Sequence, residues 1–208
     1  MTLAAPILGD AVDPSAAPAS LCMTSCGTCI EGTEFEVAAG PAAQVIDMLT
    51  VDTVRNITVY RLALQLDPAL ASNVYRLYAE AEQQMTLPPA FQVDAPFGAD
   101  IGGTNPLVWA FNADVEFDSW VTLGTVDGSS TGSIGSTVDF SAWTADAGLS
   151  VSEGSVEWVN PALAPNGTAV IAQISVPTGS SFTARFNARG QSPDGAEDWS
   201  APGLVFSV

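Results

Sequence analysis

From residue 53 onward the chain alternates apolar and polar positions with a period of two, and Gly, Pro, Asn, Asp or Ser break the pattern at short intervals. In residues 58–66, Tyr60, Leu62, Leu64 and Leu66 share one side of an extended segment that Asp67-Pro68 ends. Residues 73–79 set Val74, Arg76 and Tyr78 against Tyr75, Leu77 and Ala79, which predicts a second strand; the helix-forming Ala, Glu and Gln of 69–84 offer a helical alternative, opposed by the aromatic and β-branched residues and by the stop at Pro88-Pro89. Residues 91–124 are the most aromatic and most turn-punctuated stretch. Within it residues 107–111 read as a strand or a short helical turn, and residues 115–123 as a half-buried strand. Val115, Phe117, Val121 and Leu123 would point inwards there, with Glu116, Asp118, Trp120 and Thr122 on the other face. A short element holds Val138, Phe140 and Trp143, and further strands follow at 155–159, 169–176, 181–188 and 204–208.

Eight or nine short strands separated by turn residues, with one at 127–133, predict an all-β chain, an antiparallel β-sandwich or jelly roll, as a single domain over residues 35–208. Residues 35–50 are an ambiguous lead-in: Val45, Ile46 and Leu49 fall at helical spacing, while 35–37 could equally begin a strand. Residues 1–34, rich in Ala, Pro, Ser and Thr without a sustained period, read as an irregular arm or linker.

Composition narrows the chemistry. The chain has 208 residues, 23 of them acidic, with five arginines, no lysine and no histidine, for a formal charge of −18. A basic footprint for nucleic acid is missing, and anionic lipid surfaces would repel the chain. Without histidine there is no imidazole base, triad or ligand; without lysine there is no Schiff base and no Walker-type phosphate site. Catalysis would have to rely on carboxylates, thiols and hydroxyls, so no enzymatic activity is expected. No stretch approaches the roughly 20 apolar residues of a spanning helix, so no membrane insertion is expected. The N-terminus lacks the basic and apolar regions of a signal peptide, and a piece of a longer or already processed protein is the preferred expectation.

Cys22, Cys26 and Cys29 lie in the arm. Their spacing matches the three-thiolate cluster motif of radical-SAM enzymes, but no run of alternating strands and helices follows it. A zinc site would need a fourth ligand, for which Glu31 or Glu34 would have to serve. One local disulfide with a cysteine left over, free or paired to another chain, is the plainer expectation.

Several strings carry a resemblance: Asn73 to Tyr78, Pro88-Pro89-Ala90-Phe91-Gln92 through Pro96-Phe97-Gly98, and Asn105-Pro106. They continue with Glu116-Phe117-Asp118-Ser119-Trp120-Val121-Thr122-Leu123-Gly124, Val138 to Trp143, and Glu197-Asp198-Trp199. Over residues 54–208 the chain resembles an uncharacterised β-rich domain recurring in secreted and cell-surface proteins of marine bacteria and planktonic algae. The FDSWVTLG string is the specific part. The resemblance implies an extracellular or cell-surface setting within longer, multi-domain chains, and it brings no catalytic residues.

Asp114, Glu116 and Asp118 would share one strand face as a candidate Ca²⁺ site, completed by loop oxygens from Asp94, Asp100, Asn105, Asp127, Asp194 or Asp198; alternatively they are a solvated face. Otherwise no cofactor is expected. A carboxylate pair could also serve a glycoside hydrolase, the least favoured alternative. Trp120 shares that face, where it is the candidate for an interaction surface or else packs under a loop or partner chain; Trp109, Trp143, Trp158 and Trp199 are expected in the core, the alternative being a sugar-stacking platform of Trp109, Trp120 and Trp158. Asn56-Ile57-Thr58 and Asn166-Gly167-Thr168 are acceptor triplets for N-glycosylation, at Asn56 and Asn166. The functional expectation is an extracellular structural or adhesive module. It would be a building block of a surface layer, fibre or matrix, binding copies of itself or other matrix proteins; a carbohydrate- or calcium-binding module is the alternative.

Overall fold

The structure, a computed structural model, describes residues 40–129 and 132–208. The expected arm with Cys22, Cys26 and Cys29, the strand start at 35–37 and the middle of the turn at 127–133 lie outside the described residues.

The alternating segments form strands because each can bury one side chain in two against a facing layer. The strands are β1 (Ala42–Asp52), β2 (Ile57–Leu66), β3 (Arg76–Ala79), β4 (Met85–Leu87), β5 (Trp120–Val121), β6 (Ile134–Ser136), β7 (Leu149–Val151), β8 (Gly154–Trp158), β9 (Thr168–Pro177), β10 (Thr183–Gln191) and β11 (Asp198–Ser207). They build a four-stranded sheet in the order β1-β2-β9-β5 and a seven-stranded sheet in the order β6-β8-β3-β10-β4-β7, with β11 on β10. Every pairing between these strands is antiparallel. The sandwich expected from the pattern is therefore the fold.

The core lies between the sheets. Leu62, Leu64, Ile171 and Ile174 of the smaller sheet share one buried cluster with Leu77, Val156, Phe186 and Phe206 of the larger. Phe186 and Phe206 meet edge to face at 5.9 Å, a favoured aromatic arrangement. The lead-in is the strand β1, not a helix: Ala42 to Asp52 pair along β2, and the register shifts once between Met48 and Thr50. The β1–β2 turn is held by Asp52, whose Oδ1 accepts from the backbone N–H groups of Val54 and Arg55, and Asn56 takes the left-handed conformation (φ 56°) that Asn tolerates better than most residues.

Residues 115–123 are not a strand. Asn112 caps a 3-10 helix, Ala113–Phe117, by accepting from Asp114 N–H, and only Trp120–Val121 pair as β5. Upstream, Asn105 and Pro106 start a four-residue helix, α1 (Pro106–Trp109). The period-two pattern misleads here because burial closes on both sides. Phe117 to Leu123 are all buried, the polar positions included.

Candidate functional site

The stretch 91–123 folds across the outer surface and edge of the smaller sheet. Phe91 N–H donates to Ser175 O, and Gln173 Nε2 donates to the carbonyls of Glu116 and Asp118. Ile57, Val59 and Phe117, with Phe91 against them, form a second apolar cluster on this side. β2 and β9 are thus covered on both faces in this region, which is why Gln173 and Ser175 are buried.

These contacts disperse the three acidic residues expected to share a face. Asp114 is exposed on the 3-10 helix, and its Oδ1 accepts from Arg55 Nε at 2.7 Å. Glu116 is exposed, with its carbonyl bonded to Gln173. Asp118 is fully buried; its two oxygens accept from the backbone N–H of Val93 (2.8 Å) and Ala99 (2.7 Å). The carboxylates face different partners because Asp114 and Glu116 lie on a 3-10 helix and Asp118 follows as its C-cap, where the pattern predicts a pleated strand. Among the described residues no three His, Cys, Asp or Glu side chains are grouped to hold a metal ion. Trp120 is likewise no surface residue: it is 1% exposed, with the Arg61 guanidinium 5.5 Å from its ring centroid.

Asp118 ties down the turn at 93–99. The turn carries a cis Ala95–Pro96 bond, and Gly98 lies so close to Val93 that a Cβ there would sit 1.7 Å from its carbonyl oxygen. Burial pushes the Asp118 carboxyl up to about 6, against the opposing pull of the N–H groups of Ala99 and Val93. Asp100 is also raised, by burial and then by the nearby Asp139. Sequence reasoning missed this role because a solvated strand face and a buried loop anchor have the same polar signature.

Arg55 forms a clasp at the end of the sandwich where β1 turns into β2. Its Nη1 meets Asp52 Oδ2 at 2.6 Å, its Nε meets Asp114, and its guanidinium lies 4.7 Å from the Phe117 ring centroid. The hydrogen bond to Asp114, then that to Asp52, raises the pKa of Arg55, while the N–H of Arg55 above all lowers that of Asp52. With Nε and Nη1 bonded to carboxylates on two segments, this arginine organises the turn. Beside it opens a cleft of about 450 Å³, lined by apolar groups of Ile57, Phe91, Val176 and Pro177 among others.

The same end of the molecule exposes apolar side chains. Met48 (63%), Leu49 and Val51 stand out along β1, the end strand of its sheet, and Val54 (91%) follows in the turn. Leu107 and Phe111 are exposed next to the segment that Asp114 ties to the turn. Trp143 and Trp199 are buried as expected, donating to Pro88 O and Asn73 O, whereas Trp109 and Trp158 are half-buried. Of the two glycosylation triplets, Asn166 to Thr168 are exposed throughout, whereas Thr58 beside Asn56 is buried and its hydroxyl donates to Thr178.

No family model matches the chain, and no curated protein or solved structure matches it either. The described residues present an apolar cleft and exposed apolar side chains on an end strand.

Proposed function

We propose that this chain is a structural module of an extracellular surface layer, fibre or matrix, and that it joins copies of itself along β1. The observation that carries the reading is the exposure of Met48, Leu49 and Val51 on an eleven-residue strand at the end of its sheet, with Val54 exposed in the turn that follows. An end strand with exposed apolar residues is a template for adding another strand; proteins blunt such edges with charge, proline or bulges, and in β1 the exposed Asp47 and the shift between Met48 and Thr50 still leave Met48, Leu49 and Val51 exposed. β1 is suited to pair with a second β1 around a two-fold axis. With the axis at Leu49, Asp47 falls opposite Val51 and Ile46 opposite Asp52, so no two carboxylates meet. The extracellular setting rests on the resemblance to secreted domains and on the acidic, lysine-free composition.

Light scattering on the full chain across a concentration series tests the reading. Dimers or larger assemblies are expected, and the double substitution M48K/V51K, which places charge on the edge, should return the protein to monomer. A wild-type protein that stays monomeric at every concentration and salt level would sink the proposal.

A further inference from the structure

The outer surface of the larger sheet holds an arrangement that the edge association does not use. Arg76 of β3 and Arg189 of β10 are direct cross-strand partners, in a chain with only five arginines and no lysine. Like charges placed opposite each other on a sheet are destabilising unless something anionic lies between them. Arg76 is partly served: Glu157, its partner on β8, brings Oε2 to 3.2 Å from Arg76 Nε, an ion-pair contact without hydrogen-bond geometry. Arg189 has no ion-pair partner among the described residues; its guanidinium lies 5.8 Å from the Tyr78 ring centroid. The Nε atoms of both arginines are buried and neither makes a hydrogen bond to a described residue, Arg76 Nε having only the ion-pair contact with Glu157. Buried N–H donors are normally satisfied, so two such donors side by side mark a place for an acceptor. A cleft of about 170 Å³ opens over them, lined also by Tyr78, Glu80 and Glu153.

We propose that the Arg76–Arg189 cleft binds a small organic acid, with one carboxylate bridging the two guanidinium groups and hydrogen-bond donors on the same molecule facing Glu80 and Glu153. Planar guanidinium forks match carboxylate geometry and make charge-assisted bonds. The two glutamates set the selectivity. They repel a second negative charge, which disfavours polyanions, and they accept from hydroxyl or ammonium groups. A sugar acid and an α-amino acid both present this chemistry.

The test is calorimetric titration of the full chain, at fixed ionic strength, with sodium D-glucuronate, glycine, acetate and glucose. Saturable binding of glucuronate or glycine is expected, at least tenfold tighter than acetate, with none for glucose; which of the two binds separates a hydroxyl-bearing from an ammonium-bearing ligand. R189Q, with its fold checked by circular dichroism, should weaken that binding at least tenfold, and E153Q should narrow the preference over acetate. No saturable binding by glucuronate or glycine overturns the proposal, and so does binding that R189Q leaves unchanged or acetate binding as tight as theirs. None of these outcomes bears on the β1 edge, which belongs to the other sheet.

Discussion

Asp118 has the most to lose and gain with pH of any single residue described. Its carboxyl moves from 3.8, its ordinary value, to about 6 in the folded protein, so between those values the folded state holds more protons than the unfolded one. Stability from this group is therefore fully present below pH 4 and is lost as pH rises to about 6, by up to about 3 kcal/mol. D118N removes the titration, but its amide nitrogen must face one of the N–H donors of Val93 or Ala99, a mismatch costing about 1–3 kcal/mol. Urea unfolding of both proteins from pH 4 to 7 should show the wild type losing ground to D118N as pH rises through this window, while a pH-independent difference would refute the assignment. The tryptophans give a second residue-scale contrast. Trp120 Nε1 is buried without an acceptor among the described residues, whereas Trp143 Nε1 donates to Pro88 O at 2.7 Å and Trp199 Nε1 to Asn73 O at 2.9 Å. W120F loses packing but also an unpaired donor, while W143F and W199F lose a made bond as well. Denaturant midpoints should place W120F about 1 kcal/mol less destabilised than either; equal losses would mean that the indole of Trp120 has a partner.

At the scale of elements, legibility followed burial. β2 and β10 were readable because their periodicity matches the face turned to the core, as with Leu62, Leu64 and Leu66, and β9 because its apolar composition suits a strand buried on both faces. Residues 115–123 alternate just as cleanly and are not a strand, because Asn112 caps a helical turn and because burial on both sides hides the polar residues with the apolar ones. The readings of Asp114, Glu116, Asp118 and Trp120 as one exposed face failed with the strand that would have aligned them. β1 was ambiguous for the opposite reason: its apolar residues run together at Met48-Leu49 and Val51, where the strand is exposed and bulged, so neither period dominates. β4 and β7 are three-residue strands, too short to carry a period, and they pair with each other across more than sixty residues of chain (Met85 with Val151, Leu87 with Leu149). The Arg76–Arg189 pair was in plain view as two cations, but only the register of β3 against β10 puts them face to face.

For the whole molecule, the proposed edge contact must overcome a formal charge of −18 on each copy. The apolar contribution is local, falling within the β1 edge and the neighbouring turn, whereas the repulsion is long-ranged and belongs to the entire surface. Salt separates the two. At 0.01 M ionic strength the screening length is about 30 Å, so two copies repel across most of their width; at 0.1 M it is about 10 Å, and only charges near the contact remain. Of those, Asp47 and Asp52 fall opposite apolar residues in the two-fold arrangement, so screening the distant charges leaves little opposition. Self-association should therefore strengthen steeply as sodium chloride rises from 0.01 to 0.5 M, with the gain concentrated in the first part of that range. Sedimentation velocity across a salt series reads this directly. Association that weakens with salt would instead indicate a contact made of ion pairs, and would move the interface away from β1.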